Sequence, residues 1–393
     1  MKTALRPARA LAGAAAGLLG VPLLAACTQN PTQPTDQAAA GPISVRATDT
    51  TCEVARQTAG SGRIQFTVTN GGTKINEFYL LAEDGVRVVG EVENIGPGLS
   101  RDLVLTVAPG RYITACKPGM VGDGIRAPFI VEDSGSDSGA AGTDSAQTDQ
   151  ATDAYAAYVR DQTEQLVTKT VAFAEAYKAG RDDEARGLYP RARVHLGRIE
   201  TVAESFGDLD PKLDLREADL EPGQKWTGWH RMEKDLWPAR ATKYRALTKT
   251  QRVTYADDLV TNTKILEEKV EGVTLTIDQI ANGSRGLLDE VATGKVTGEE
   301  EYWSRTDLWD FQANVDGARV AYEGLQPLLQ KKDPELDADI SAKFAALQAL
   351  LDGHKVGDGF VSYDKLSKSE IKQLSDAVNA LAEPISQLAA TVV

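Results

Sequence analysis

The spacing of the hydrophobic residues changes once along this chain, and that change divides it into two kinds of structure. Ile64-Gln65-Phe66-Thr67-Val68 and Leu103-Val104-Leu105-Thr106-Val107 alternate with a period of two. Side chains two apart share one face of a strand, so each segment buries one face of a sheet. Asn70-Gly71-Gly72, Glu83-Asp84-Gly85, Gly96-Pro97-Gly98 and Ala108-Pro109-Gly110 punctuate residues 42–132 at intervals that suit a small β-sandwich. Residues 133–151 are Ser, Gly, Ala and Asp-rich and read as a flexible linker. From residue 152 to 393 the period is helical. Tyr155, Val159, Leu166, Phe173 and Tyr177 form one stripe, and Ile371, Leu374, Val378, Leu381, Ile385 and Leu388 form another in steps of three and four. Pro384 is expected to bend or interrupt that last helix. Further amphipathic segments cover 249–271, 307–331 and 335–352. Long helices around a shared core make an antiparallel bundle. No simple tandem repeat is visible.

The N-terminus points to export. Lys2, Arg6 and Arg9 precede an apolar run from Leu11 to Ala26 that ends in Leu24-Ala25-Ala26-Cys27. The run is short and weakly flanked for a spanning helix. Small residues before a cysteine at its end match a bacterial lipobox. Residues 1–26 are then a lipoprotein signal peptide, and the Cys27 thiol takes the lipid. Residues 27–41 have too little apolar content to fold and read as a tether. The net charge of −14 argues against nucleic acid and anionic lipid as partners and suits a protein that gathers cations. Cys52 and Cys116 remain, an even pair that in an exported chain is most simply a disulfide.

Chemistry concentrates in Trp226-Thr227-Gly228-Trp229-His230-Arg231-Met232-Glu233, which holds one of only three histidines in the chain. Positions i and i+3 share a helix face, so the His230 imidazole and the Glu233 carboxylate can address one cation. The pattern is short, and an ordinary helical turn explains it equally well.

Four segments resemble the imelysin-like (M75) domain of iron-uptake lipoproteins of the EfeO type. They are Arg193-Val194-His195-Leu196-Gly197-Arg198-Ile199-Glu200 with Ala203 to Asp210 behind it, the His230 segment, Leu287 to Glu301, and Thr306 to Gly317. The resemblance implies a non-enzymatic iron-binding component that captures ferric or ferrous iron outside the cytoplasmic membrane. It implies an EfeUOB-type system with an iron permease and a haem-peroxidase-like partner. His230 and Glu233 carry the family's metal motif. Glu200, Asp257 and Asp307 lie where the family expects acidic residues, with Glu300 and Asp310 in reserve. A set of carboxylates with one imidazole suits iron better than thiolates do, and facing helices of a bundle can each project one inward. Asp307 equally suits a first-turn charge on its own helix. Two positions depart from the family: Gly197 where a glutamate is usual, and Arg305 where a histidine is frequent. The arginine puts a cation near the expected site or holds a carboxylate. His195 reads as a packed or capping residue and His354 as a loop residue.

Residues 42–132 resemble the cupredoxin-like domain that precedes many such bundles, through Thr51-Cys52-Glu53, Asn76-Glu77-Phe78, Glu91 to Gly98 and Tyr112 to Met120. A blue-copper site needs two histidines, and these residues contain none. Cys52, Cys116 and Glu77, with Glu91 or Glu93 nearby, form either a site for copper or zinc or a disulfide beside an acid. Two rival functions stand beside iron capture. One is a metal-dependent peptidase, which His-x-x-Glu evokes. The other is metal-mediated polysaccharide binding.

Overall fold

The computed structural model describes residues 41–83, 85, 88–119, 124–134 and 145–393. The expected signal peptide, tether and Cys27 lie outside them, apart from Gly41. Among the described residues, nine strands build the first domain: β1 (Ile43–Ala47), β2 (Cys52–Val54), β3 (Thr58–Gly60), β4 (Gly62–Asn70), β5 (Asn76–Ala82), β6 (Val88–Ile95), β7 (Ser100–Val107), β8 (Gly110–Cys116) and β9 (Ile125–Glu132). They form two sheets, in the orders β2-β1-β4-β7 and β3-β9-β8-β5-β6. The two alternating segments pair antiparallel, with Ile64 opposite Leu105 and Phe66 opposite Leu103. Their apolar faces close on Phe78 and Phe129, whose rings lie 5.1 and 5.4 Å from Phe66. A disulfide joins Cys52 on β2 to Cys116 on β8 and so ties one sheet to the other. Both sulfurs are thereby committed to each other, and the copper or zinc site that needed them as thiolates is not what the structure contains. This is the cupredoxin-like arrangement expected of the segment.

Eleven helices follow among the described residues: α1 (Ser145–Lys178), α2 (Asp182–Gly197), α3 (Glu200–Glu204), α4 (Asp210–Asp214), α5 (Trp229–Leu236), α6 (Lys249–Glu271), α7 (Ile277–Thr293), α8 (Asp307–Lys332), α9 (Pro334–Asp352), α10 (Lys368–Ile385) and α11 (Leu388–Val392). Helix α1 starts inside the segment read as linker. Ala151 and Tyr155 are buried, so packing of that first stretch extends the helix backward past its polar start. Thr248, Thr276 and Ser367 close capping boxes at the starts of α6, α7 and α10. Pro384 stands next to last in α10, and the chain resumes as α11 three residues beyond Ile385. Helices α1, α2 and α6 pack together, α7 packs on α8 and α10, and α2 crosses α8. The crossing is close: a Cβ on Gly317 would meet the Arg198 carbonyl oxygen at 2.3 Å, and one on Gly197 would meet Ala313 Cβ at 3.1 Å. A glutamate at 197 would press its Cβ against Ala313, which would have to give by a few tenths of an ångström. No helix among the described residues is long and apolar enough to cross a membrane.

The sandwich sits on α7. Asn282 donates to the Val104 carbonyl, and Arg285 donates to that of Glu93 at 3.4 Å. Glu77 is buried beside this contact and accepts from Tyr79 Oη at 2.9 Å. Burial raises the Glu77 carboxyl and pushes Glu91 up to about 7, where the Glu77 charge adds to the effect.

Between α1 and α2, His195 Nδ1 meets Gln162 Oε1 at 2.9 Å, which makes it the packed residue expected. Burial first, then the charges of Arg198 and Lys169, lower its pKa to about 4. An unfolded histidine titrates near 6.5. The folded-state preference for the neutral ring is therefore present above pH 6.5 and lost as pH falls toward 4. Chemical denaturation of wild type and His195→Gln should show the wild-type advantage shrinking by roughly 2–3 kcal/mol across that window. A difference that stays flat with pH would refute the assignment. For the sandwich, native protein should show no reactive thiol at Cys52 or Cys116. Replacing both by serine should cost about 2–5 kcal/mol in denaturant titrations.

Candidate metal centre

The interior position of His230 follows from its neighbour. Trp229, the first residue of α5, is fully buried among Phe173 of α1 and Tyr189 of α2, with ring centroids 4.9 and 5.6 Å away. Anchoring that indole drives the next side chain inward, and His230 is 1% exposed. Gly228 completes the approach. It takes φ = 83°, and a Cβ there would lie 2.1 Å from the Leu213 carbonyl oxygen. Only glycine lets the start of α5 come this close to the end of α4, which carries Asp214.

His230 and Glu233 meet as their spacing implies. Nδ1 donates to Glu233 Oε2 at 3.1 Å. The other carboxylate oxygen, Oε1, accepts from the backbone amides of Trp303 and Ser304 at 2.8 and 2.7 Å. Glu233 is therefore engaged on both oxygens. The remaining nitrogen, Nε2, points at Asp214 Oδ1 (3.4 Å) and Glu300 Oε1 (3.6 Å) and has no hydrogen-bond partner among the described residues. Among the described residues, two groups can hold an ion by geometry: Asp214, His230 and Glu300, or His230, Glu233 and Glu301. In the second, His230 and Glu233 are already bonded to each other, and Glu301 is engaged by Ser304 Oγ at 2.7 Å and Arg193 Nε at 2.6 Å. In the first, an unanswered nitrogen faces two carboxylates. His230 and Glu300 also line a cleft that opens past Arg216, Glu217, Tyr302 and Trp303.

The electrostatics are those of many acids in little water. Burial and the Arg193 charge lower the His230 pKa, but its bond to Glu233 and the nearby Glu300 and Asp214 carboxylates outweigh both and carry it well above its ordinary value. Burial raises Glu301 strongly, Asp307 to about 7 and Asp310 to about 6. Glu300 goes the other way. Burial opposes its ionisation, but Lys295, His230 and Arg193 together hold it well below the usual carboxylate range.

The remaining expected residues divide. Glu200 is buried, but Lys295 Nζ binds both its oxygens at 2.9 and 2.8 Å, and Asn314 donates to it at 2.8 Å. It belongs to an ion pair and not to either group around His230. Asp257 corrects the expectation more strongly. It lies on the outer side of α6, away from the buried Ala256, Leu259 and Leu266 face, and pairs with Lys178 at 3.0 Å. Asp307 accepts from the Glu301 amide at 3.0 Å through Oδ1, and its Oδ2 has no hydrogen-bond partner among the described residues. It organises the turn before α8 and lies outside both groups. Arg305 takes φ = 61°, pairs with Asp364 at 3.3 Å and donates to the Gly298 carbonyl. It thus holds a carboxylate away from His230. The residues that sequence reading missed are Asp214, Glu301 and Arg193. Arg193 and Glu301 stood inside segments singled out by resemblance. Asp214 carried no local signal.

Residues 151–388 match the family described as Imelysin, which bears a peptidase name. Three proteins called iron uptake system component EfeO, from Escherichia coli K12, Escherichia coli O157:H7 and Shigella flexneri, are each 39% identical to this chain over 355 residues. The alignments cover 88% of this chain and 90% of each relative. The chain belongs to the imelysin family.

Proposed function

We propose that this chain captures iron outside the cytoplasmic membrane and hands it to an uptake system, with His230 Nε2, Asp214 and Glu300 as the donors. The observation that carries this reading is the buried, unpartnered Nε2 facing two carboxylate oxygens beside an open cleft. Oxygen donors with one imidazole suit ferrous or ferric iron. The relatives' shared name supports the role. Glu233 works one step back. By accepting the Nδ1–H hydrogen bond it leaves Nε2 as the ligating nitrogen, and its bonds to the amides of Trp303 and Ser304 fix the ring relative to Glu300. The lipid on Cys27, an iron permease and a haem-peroxidase-like protein complete the proposal through the family resemblance. The carrier is exported, held at the outer face of the membrane or free in the periplasm.

The same reading makes the chain a carrier and not a peptidase. Zinc peptidases of the His-Glu-x-x-His type need two imidazoles one turn apart, and α5 carries one.

Isothermal titration with ferric and ferrous iron tests the site. His230→Ala/Glu233→Ala and Asp214→Asn should each lose tight binding while helical circular dichroism is retained. Unchanged affinity in both would remove the site, and peptide release by the metal-loaded protein would remove the carrier role. Glu233→Gln separates orientation from simple capping. Its amide oxygen can still accept from Trp303 and Ser304, which turns the NH2 toward Nδ1 and moves the ring proton to Nε2. Affinity should fall about 10–100-fold. Wild-type affinity would show that Glu233 only caps the turn.

A further inference from the structure

The oxygens that face His230 also face a permanent cation. Asp214 Oδ1, 3.4 Å from His230 Nε2, is bonded on its other side to Arg193 Nη1. Glu300 Oε1, 3.6 Å from the same nitrogen, is 3.3 Å from Arg193 Nη2. Both oxygens therefore bridge an imidazole and a guanidinium. Arg193 Nε continues the pattern, 2.6 Å from Glu301 Oε1 and 3.3 Å from Asp310 Oδ1. One side chain, 2% exposed, gathers four carboxylates from three separate stretches of chain. Carboxylates shared between two neighbouring cations are the construction of two-ion sites, whose ions stand about 3.5–4 Å apart. Here one of the two cation positions is taken by a charge attached to α2. Donor capacity remains on that side: Asp310 Oδ2 is buried and has no hydrogen-bond partner among the described residues.

We propose that Arg193 limits this centre to a single ion, its guanidinium standing where a second cation would sit and sharing Asp214 and Glu300 with the bound one. The proposal rests on reading His230, Asp214 and Glu300 as the donors. A guanidinium keeps its charge at any working pH, so it does not vacate the position by losing a proton. Lys295, the other buried cation nearby, does not compete for the role. It is committed to Glu200 and stays 4.0 Å from Glu300.

Mn2+ binding to the full chain tests this, by equilibrium dialysis with elemental analysis and by electron paramagnetic resonance. Wild type and Arg193→Lys, which keeps the charge, should hold one Mn2+ with the spectrum of an isolated ion. Arg193→Gln, refolded and purified in Mn2+, should hold two, with the broadened signal of a coupled pair. Loss of Arg193 leaves buried acids without a counter-charge. Arg193→Gln/Glu301→Gln removes one of those acids and carries the same expectation should the single variant not fold. One ion in the folded variant, or two in wild type, overturns the role of Arg193. Wild type that holds neither Mn2+ nor, in the same dialysis, ferrous or ferric iron overturns the ion-capture reading itself, so the two failures are distinguishable.

Discussion

Glu233 is a carboxylate with no access to water, and the site depends on how its charge is met. A buried acid must find donors for its oxygens or lose its charge. Here the donors are the His230 ring and two consecutive backbone amides, those of Trp303 and Ser304. Those bonds join α5 to the turn that precedes α8, two pieces of chain some seventy residues apart. The turn in question carries Glu300 and Glu301. Orienting the imidazole and placing the carboxylates it faces are therefore one structural act.

Around this junction the chain assembles more acidic side chains than an interior normally holds. The acids are kept by two buried cations: Arg193 among Asp214, Glu300, Glu301 and Asp310, and Lys295 on Glu200 with Glu300 at the edge of its reach. Removing one partner of such a buried pair typically costs about 3–5 kcal/mol, because the other is left uncompensated. A core built for stability alone would avoid this arrangement. It lies beside the cleft that His230 and Glu300 line. Among the described residues, the sandwich supplies none of the side chains around His230. Its own acids, Glu77, Glu91 and Glu93, gather instead where it rests on α7, close to Arg285.

Much of the fold was legible because it follows local periodicity. The paired strands of β4 and β7, the helices α6, α8 and α9, and the end of α10 at Pro384 stand close to where alternation, helical stripes and proline placed them. The start of α1 did not follow from composition, because packing at Ala151 and Tyr155 overrode a polar linker. At the site, the His230 and Glu233 pair needed only helical geometry. Glu200 and Asp257 looked like equal partners from the sequence. Which face of a helix meets the interior, and which cation lies opposite, separated them: Glu200 faces Lys295, and Asp257 faces outward to Lys178.

By itself the sequence determined the two domains, their order, the charge, the pair of cysteines and the imidazole with its carboxylate one turn away. Each of these is a property of neighbouring residues or of bulk composition. Only the tertiary structure decided that Asp214 and Glu300 face Nε2, that Glu233 orients the ring, and that Arg193 shares the same oxygens. These relations join segments tens to more than a hundred residues apart. They exist because Trp229 is buried among aromatic rings and because glycines at 228 and 317 let backbones approach more closely than any Cβ would allow. Spacing along a chain fixes which side chains share a face, but close packing between distant faces decides which charges meet.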